Sequence, residues 1–248
     1  MSGLSAAAFG AFVGMYTMWK LVLRQYTGSK PDERGWGLEA YVSAFIHQTA
    51  TLFFGAALFL SQNNLDAWLA GPWKGDGESQ RAEEYFLLMQ AAEMATDVLR
   101  DRKYPGFGVS YLAHHVATFL ATLAALFMVV PVGGVIGFAT CMEGGGAVLN
   151  AVSLYPKVTN PRDDRAKAPP ALITARVLLF TASRLVAAVV LAKTTVAAAA
   201  LEPPPWAAIV FAWAILAVNT KWVWAMLRSL HASILSGKGV DSMDAFCE

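Results

Sequence analysis

His114 and His115 stand side by side in an otherwise apolar run from residue 109 to residue 130. An imidazole can take or give a proton near neutral pH, or attack a carbonyl carbon, so the pair suits acid–base or nucleophilic chemistry. Five more ionisable side chains interrupt other apolar runs: His47, Glu93, Asp97, Glu143 and Arg184, with the amides Asn150 and Asn219 as companions. Such groups are expensive in hydrocarbon and by default mark function there. What they can do depends on whether they meet.

Helical spacing gives each run one polar face. Gln90, Glu93 and Asp97 follow i, i+3, i+7; Ser110, His114, Thr118 and Thr122 step by four; Thr140, Glu143, Gly146, Ala147 and Asn150 form a third stripe; Thr181 and Arg184 are i, i+3. In lipid, such faces turn toward neighbouring helices. Polar groups there also act as plain ties worth about 0.6 kcal/mol each, but carboxylates and an arginine are costlier than ties require. Gly144, Gly145 and Gly146 follow Glu143 directly and open a notch for another helix or an acyl chain.

The elements that must carry these residues are transmembrane helices. Hydrophobic residues make up 56% of the 248, charged residues 15%, and mean hydropathy is +0.45; a soluble domain carries about 25% charged residues. The fold expected is all-α, a polytopic membrane bundle of about seven transmembrane helices in a single domain, 1–248. Apolar runs of spanning length cover residues 4–23, 41–60, 109–130, 132–154, 172–191 and 206–227. Residues 85–99 form a shorter run, broken by Gln90, Glu93 and Asp97.

Counting that run as a span sorts the basic residues. Lys20, Arg24, Lys30, Arg34, Arg100, Arg102, Lys103, Lys157, Arg162, Arg165, Lys167, Arg228 and Lys238 fall on one side, against Lys74, Arg81 and Lys193 on the other. The positive-inside rule then puts the N-terminus outside and the C-terminus in the cytosol. His47, His114 and His115 each lie five or six residues from cytosolic span ends, roughly 10 Å deep at 1.5 Å per residue. Arg184 lies deeper, while the outer half holds almost no charge. A polar pocket opening to the cytosol is expected. The long outer connection, 61–84, should rest Trp68 and Trp73 at the interface.

Other chemistries are poorly served. A net charge of +1 without a basic, aromatic-interleaved stripe argues against nucleic acid. Four histidines are too few for a di-iron centre, so no metal is expected. His-Glu-x-x-His and Gly-x-Ser-x-Gly are missing. Two cysteines build no disulfide framework, and Cys141 reads as a small apolar filler.

The ordered set His47, Asp97, His114-His115 with Thr118, Glu143 seven before Asn150, Arg184, and Asn219 with Trp222 resembles the TLC-domain family, over about 41–230. That family includes ceramide synthases, translocating-chain-associated membrane proteins and smaller TLC-domain proteins. The chain departs from it at Gly145, Gly146 and Ala147, where the family often has Ser-Thr-Pro, and lacks the paired acidic residues that lead into the double His of ceramide synthases.

The resemblance implies acyl transfer from acyl-CoA, as co-substrate, to a lipid amine or hydroxyl, in the endoplasmic reticulum membrane. His114 or His115 would be base or acyl acceptor, oriented by Asp97 or Glu143. Arg184 would meet an anionic head group, and His47, Asn150, Asn219 and Trp222 would complete the substrate site. A second reading stands beside it: a non-enzymatic lipid-binding protein or a subunit of a larger membrane complex, whose polar groups only satisfy one another. Membrane lipids are the expected partners, with homo-oligomers or complex partners also in view. No bound cofactor is expected.

Overall fold

The computed structural model describes residues 3–27, 35–72, 78–160 and 168–236. They form eight α-helices: α1 Gly3–Thr27, α2 Leu38–Leu60, α3 Leu65–Ala70, α4 Glu78–Arg100, α5 Val109–Phe127, α6 Val132–Thr159, α7 Pro170–Ala199 and α8 Trp206–Ser236. A 3-10 turn, Asp101–Lys103, follows α4. Prolines stand just before α6, α8 and at the start of α7, where a missing backbone donor costs least.

Six of these helices (α1, α2 and α5 to α8) are long and apolar enough to cross a membrane. The chain is a helical membrane bundle, and its surface agrees. On α7, Leu178, Leu185, Val189 and Val196 are exposed while Val177, Arg184, Ala187 and Leu191 are buried. An apolar outside with its arginine inside suits hydrocarbon.

The seventh long helix is α4. It is too polar to pass on composition, yet its 23 residues reach about 34 Å. Phe86, Leu87, Leu88, Gln90, Ala91, Ala92, Glu93, Thr96 and Asp97 on it are all buried. An Asp at the centre of a lone span costs about 2.5–3.5 kcal/mol on insertion scales, so α4 belongs inside the bundle.

The packing pairs run α2 to α6, α6 to α7, α7 to α8, α8 to α5, α5 to α4, and α4 back to α2, which closes a six-helix ring. Helix α1 lies outside it, against α4 and α2. Three polar residues fasten α1 at different depths: Ser5 to Glu84, Tyr16 to His47, and Lys20 to Asp97 and Asp101.

Glycines permit the tightest approaches in the ring. A Cβ on Gly145 would strike Ser183 and Arg184 of α7, one on Gly146 would strike Gln48 of α2, and one on Gly55 would strike Thr140. The glycine run after Glu143 therefore seats α6 between α2 and α7.

Two residues near the ends of the bundle pack more closely than their positions in the sequence suggest. Partly buried Trp68, on α3, packs against the core around Phe86 and Val132, and its indole N–H donates to Glu83 at 3.2 Å. Trp73 lies outside the described residues. Lys20, expected with the cytosolic charges, is buried. A Lys at the end of an apolar run reads like a loop charge until its partners are seen.

Candidate functional site

One cavity of about 100 Å³ lies within the ring and draws its walls from all six helices. Ala40, Tyr41, Ala44 and Gln48 come from α2; Glu93, Met94 and Asp97 from α4; Tyr111, His114 and His115 from α5; Met142, Glu143, Gly146 and Asn150 from α6; Phe180 and Arg184 from α7; Asn219 and Trp222 from α8. Trp36 and Asp101 place it toward the end of the bundle where α1 and α4 finish and α2 and α5 start. Of the nine residues expected at the site, eight line this one space: His114, His115, Asp97, Glu143, Arg184, Asn150, Asn219 and Trp222.

His47 is the ninth, and it does not line the cavity. It sits one layer back between α1 and α4. Its Nδ1 is 2.6 Å from the Tyr16 hydroxyl, and its Nε2 lies 3.0 Å from Gln90 Nε2, 3.3 Å from Thr51 Oγ1 and 3.4 Å from Glu93 Oε2. Glu93 is the member of this group that reaches the cavity. Sequence depth placed His47 level with the other histidines, but depth carries no information about radius.

His115 is fully engaged. Nδ1 is 2.9 Å from the Tyr111 carbonyl oxygen and Nε2 is 3.0 Å from Asp97 Oδ2. Its ring stacks on Tyr111, centroids 4.8 Å apart at 25°. A carbonyl only accepts, so Nδ1–H donates to it; Nε2 shares a proton with the carboxylate. Neither nitrogen turns a lone pair into the cavity. Asp97 is in turn held by Lys20, whose Nζ also donates to Asp101 Oδ2 at 2.5 Å. Buried charges need such pairing, and here the cation comes from the helix outside the ring.

His114 differs. Arg184 has only donors, so Asn219 must turn its carbonyl oxygen to Arg184 Nε, 3.0 Å away. The Asn219 amide nitrogen then donates to the Ile215 carbonyl at 2.9 Å and to His114 Nδ1 at 3.2 Å. A neutral imidazole that accepts at Nδ1 carries its proton on Nε2. His114 Nε2 has no protein partner, is not sealed off, and belongs to a residue lining the cavity. The pair is therefore asymmetric: His115 is locked in the wall, and His114 offers one N–H donor.

The remaining groups are held as firmly. Arg184 Nη1 donates to the Met142 carbonyl at 2.7 Å and to Ser183 at 2.9 Å, and its guanidinium lies over the Phe180 ring at 3.7 Å. Asn150 donates to Gln48 Oε1 at 2.8 Å, and Gln48 hydrogen-bonds Glu143. Trp36, Tyr111 and Trp222 give the cavity aromatic walls, with Trp36 and Tyr111 centroids 4.9 Å apart and Trp222 5.3 Å from His114.

Sequence reasoning missed Lys20, Gln48, Tyr111 and Trp36 here. Tyr111 precedes His114 by three and His115 by four, a spacing that does point to contact. Gln48 and Trp36 left no comparable trace. Among the described residues, no cluster of three or more His, Cys, Asp or Glu has the arrangement of a metal site.

A family model described as the TLC domain matches residues 12–228, beginning inside α1 rather than near Tyr41. No curated protein and no solved structure matches the chain.

Proposed function

Because the chain belongs to the TLC-domain family, we propose that it is a membrane enzyme of lipid metabolism that transfers an acyl group from acyl-CoA to a lipid amine or hydroxyl within this cavity. The observation that carries the reading is the open N–H of His114, held in one tautomer by Asn219 and Arg184, in a cavity that Glu93 and Glu143 also line. A preorganised donor is what a thioester carbonyl needs as negative charge develops on its oxygen. His114 polarises that carbonyl, Glu93 or Glu143 accepts the nucleophile's proton, and the pair His115–Asp97 holds the wall in register. The base is thus a carboxylate rather than an imidazole.

The cavity lies at the end of the bundle that carries most of the Lys and Arg, the cytosolic end by the positive-inside rule. Acyl-CoA approaches from that side in this reading, and the endoplasmic reticulum is the membrane expected.

The test is product formation by purified protein given radiolabelled acyl-CoA and a panel of long-chain amines and alcohols. His114→Ala should lower kcat by about a hundredfold or more, the usual cost of one such donor. His114→Gln, which keeps an N–H, should retain part. Wild-type protein giving no product across the panel would contradict the enzyme reading. It would favour the second one, a lipid-binding protein, for which the closed partnerships of His115 and Lys20 speak.

A further inference from the structure

An acyl transfer in this cavity releases a proton from its nucleophile, and neither imidazole in the wall has a lone pair to receive it. Two cavity carboxylates remain outside the Lys20 cluster. Glu143 is backed by Gln48, an amide that can hold it in place but cannot take a proton. Glu93 is backed by His47, with Oε2 3.4 Å from Nε2.

The detail at His47 decides what that contact is. Gln90 Nε2 has two hydrogens; one goes to Thr51 Oγ1 at 2.8 Å and the other points to His47 Nε2 at 3.0 Å. His47 Nε2 therefore accepts, and the neutral ring keeps its hydrogen on Nδ1, facing the Tyr16 hydroxyl at 2.6 Å. The one lone pair of Nε2 is thus engaged by Gln90, and Glu93 Oε2 lies beside the same nitrogen at 3.4 Å, both residues buried. A proton on Glu93 Oε2 can hydrogen-bond Nε2 only where the Gln90 N–H yields that lone pair.

We infer that Glu93 is the catalytic proton acceptor of the transfer and that His47, 3.4 Å from its carboxyl oxygen behind the cavity wall, is its positioning residue. This rests on the acyl-transfer reading above. The step balances as follows. The nucleophile's N or O bonds to the thioester carbon, and the carbon–sulfur bond breaks as the tetrahedral intermediate collapses. The nucleophile's proton passes to a carboxylate oxygen of Glu93. The CoA thiolate leaves and takes a proton from water, and Glu93 returns its own to solvent through the cavity.

Other groups facing the pair are Tyr16 and Lys20 from α1, Asp97 from α4, Asp101 from the turn that follows it, His115 from α5 and Glu143 from α6. Lys20, Asp97, Asp101 and His115 are bound up with one another, which leaves Glu93, with His47 behind it, and Glu143 outside that cluster. Tyr16, at 2.6 Å, fixes the ring from the far side.

The test is the pH profile of kcat and KM for wild type, Glu93→Gln, Glu143→Gln, His47→Gln and His47→Asn, purified and matched for folding by melting temperature. Glu93→Gln should lower kcat by about a hundredfold or more, within the range of lost acid–base catalysis, with KM moved less than about threefold. It should also abolish the acid limb. His47→Gln and His47→Asn should shift that limb and lower kcat by about tenfold, an effect a merely structural role would not produce. Glu93→Gln with wild-type kcat and an unchanged acid limb, or Glu143→Gln alone abolishing that limb, would overturn the assignment. Inactive wild-type protein would instead defeat the acyl-transfer reading on which it rests.

Discussion

Asn219 decides what His114 can do. It is buried, and all three of its polar positions are committed: the oxygen to Arg184, the nitrogen to Ile215 and His114. Asn219→Asp replaces the donor by an acceptor, so the imidazole must turn its proton to Nδ1 to keep a bond there. Nitrogen-15 spectra of histidine-labelled protein should show His114 protonated on Nε2 in the wild type and on Nδ1 in the variant. Identical spectra would contradict the tautomer. Asn219→Leu leaves two buried groups unpaired, at about 1–3 kcal/mol each, and should melt well below wild type. His114 and Asn219 were visible as candidates in the sequence, because polar residues stand out in apolar runs. Their division of labour was not, since it depends on which atom of each amide faces which neighbour.

At the scale of the helix, the glycines separate contact from exposure. Gly145→Ala drives a methyl into Ser183 and Arg184, and overpacking of this kind costs about 1–3 kcal/mol. Gly14→Ala on α1 meets nothing within 4 Å and removes a helix-destabilising residue. Thermal melts in detergent should show Gly145→Ala clearly destabilised and Gly14→Ala equal to wild type or better; the reverse order would refute the packing of α6 against α7. The glycine run was legible as a notch, but its occupants were not. For α4 the count of basic residues on either side suggested a span where hydropathy did not, and the structure packs this helix, largely buried, in the ring with the apolar ones. The cause is physical. A helix surrounded by other helices need not be apolar, and a window of hydropathy records composition without neighbours.

The whole molecule is a ring of six helices with α1 fastened outside, and its interior polarity lies toward one end. His114, His115, Asp97, Glu143 and Arg184, from separate helices, line one cavity, and shared depth and helical phase are the traces this left in the sequence. The radial placement of His47 and the inward reach of Lys20 were not legible, because phase must be referred to partners the sequence does not identify. The central claim is that an acyl donor enters this ring, and photocrosslinking tests it most directly. An acyl-CoA bearing a diazirine close to its thioester would be irradiated with the protein and the labelled peptides sequenced. The account predicts labels at cavity residues such as Met94, Met142 and Trp222, competed away by unlabelled acyl-CoA. Labels confined to outward-facing residues such as Met18 and Phe53, exposed on the surface of the bundle, would contradict it.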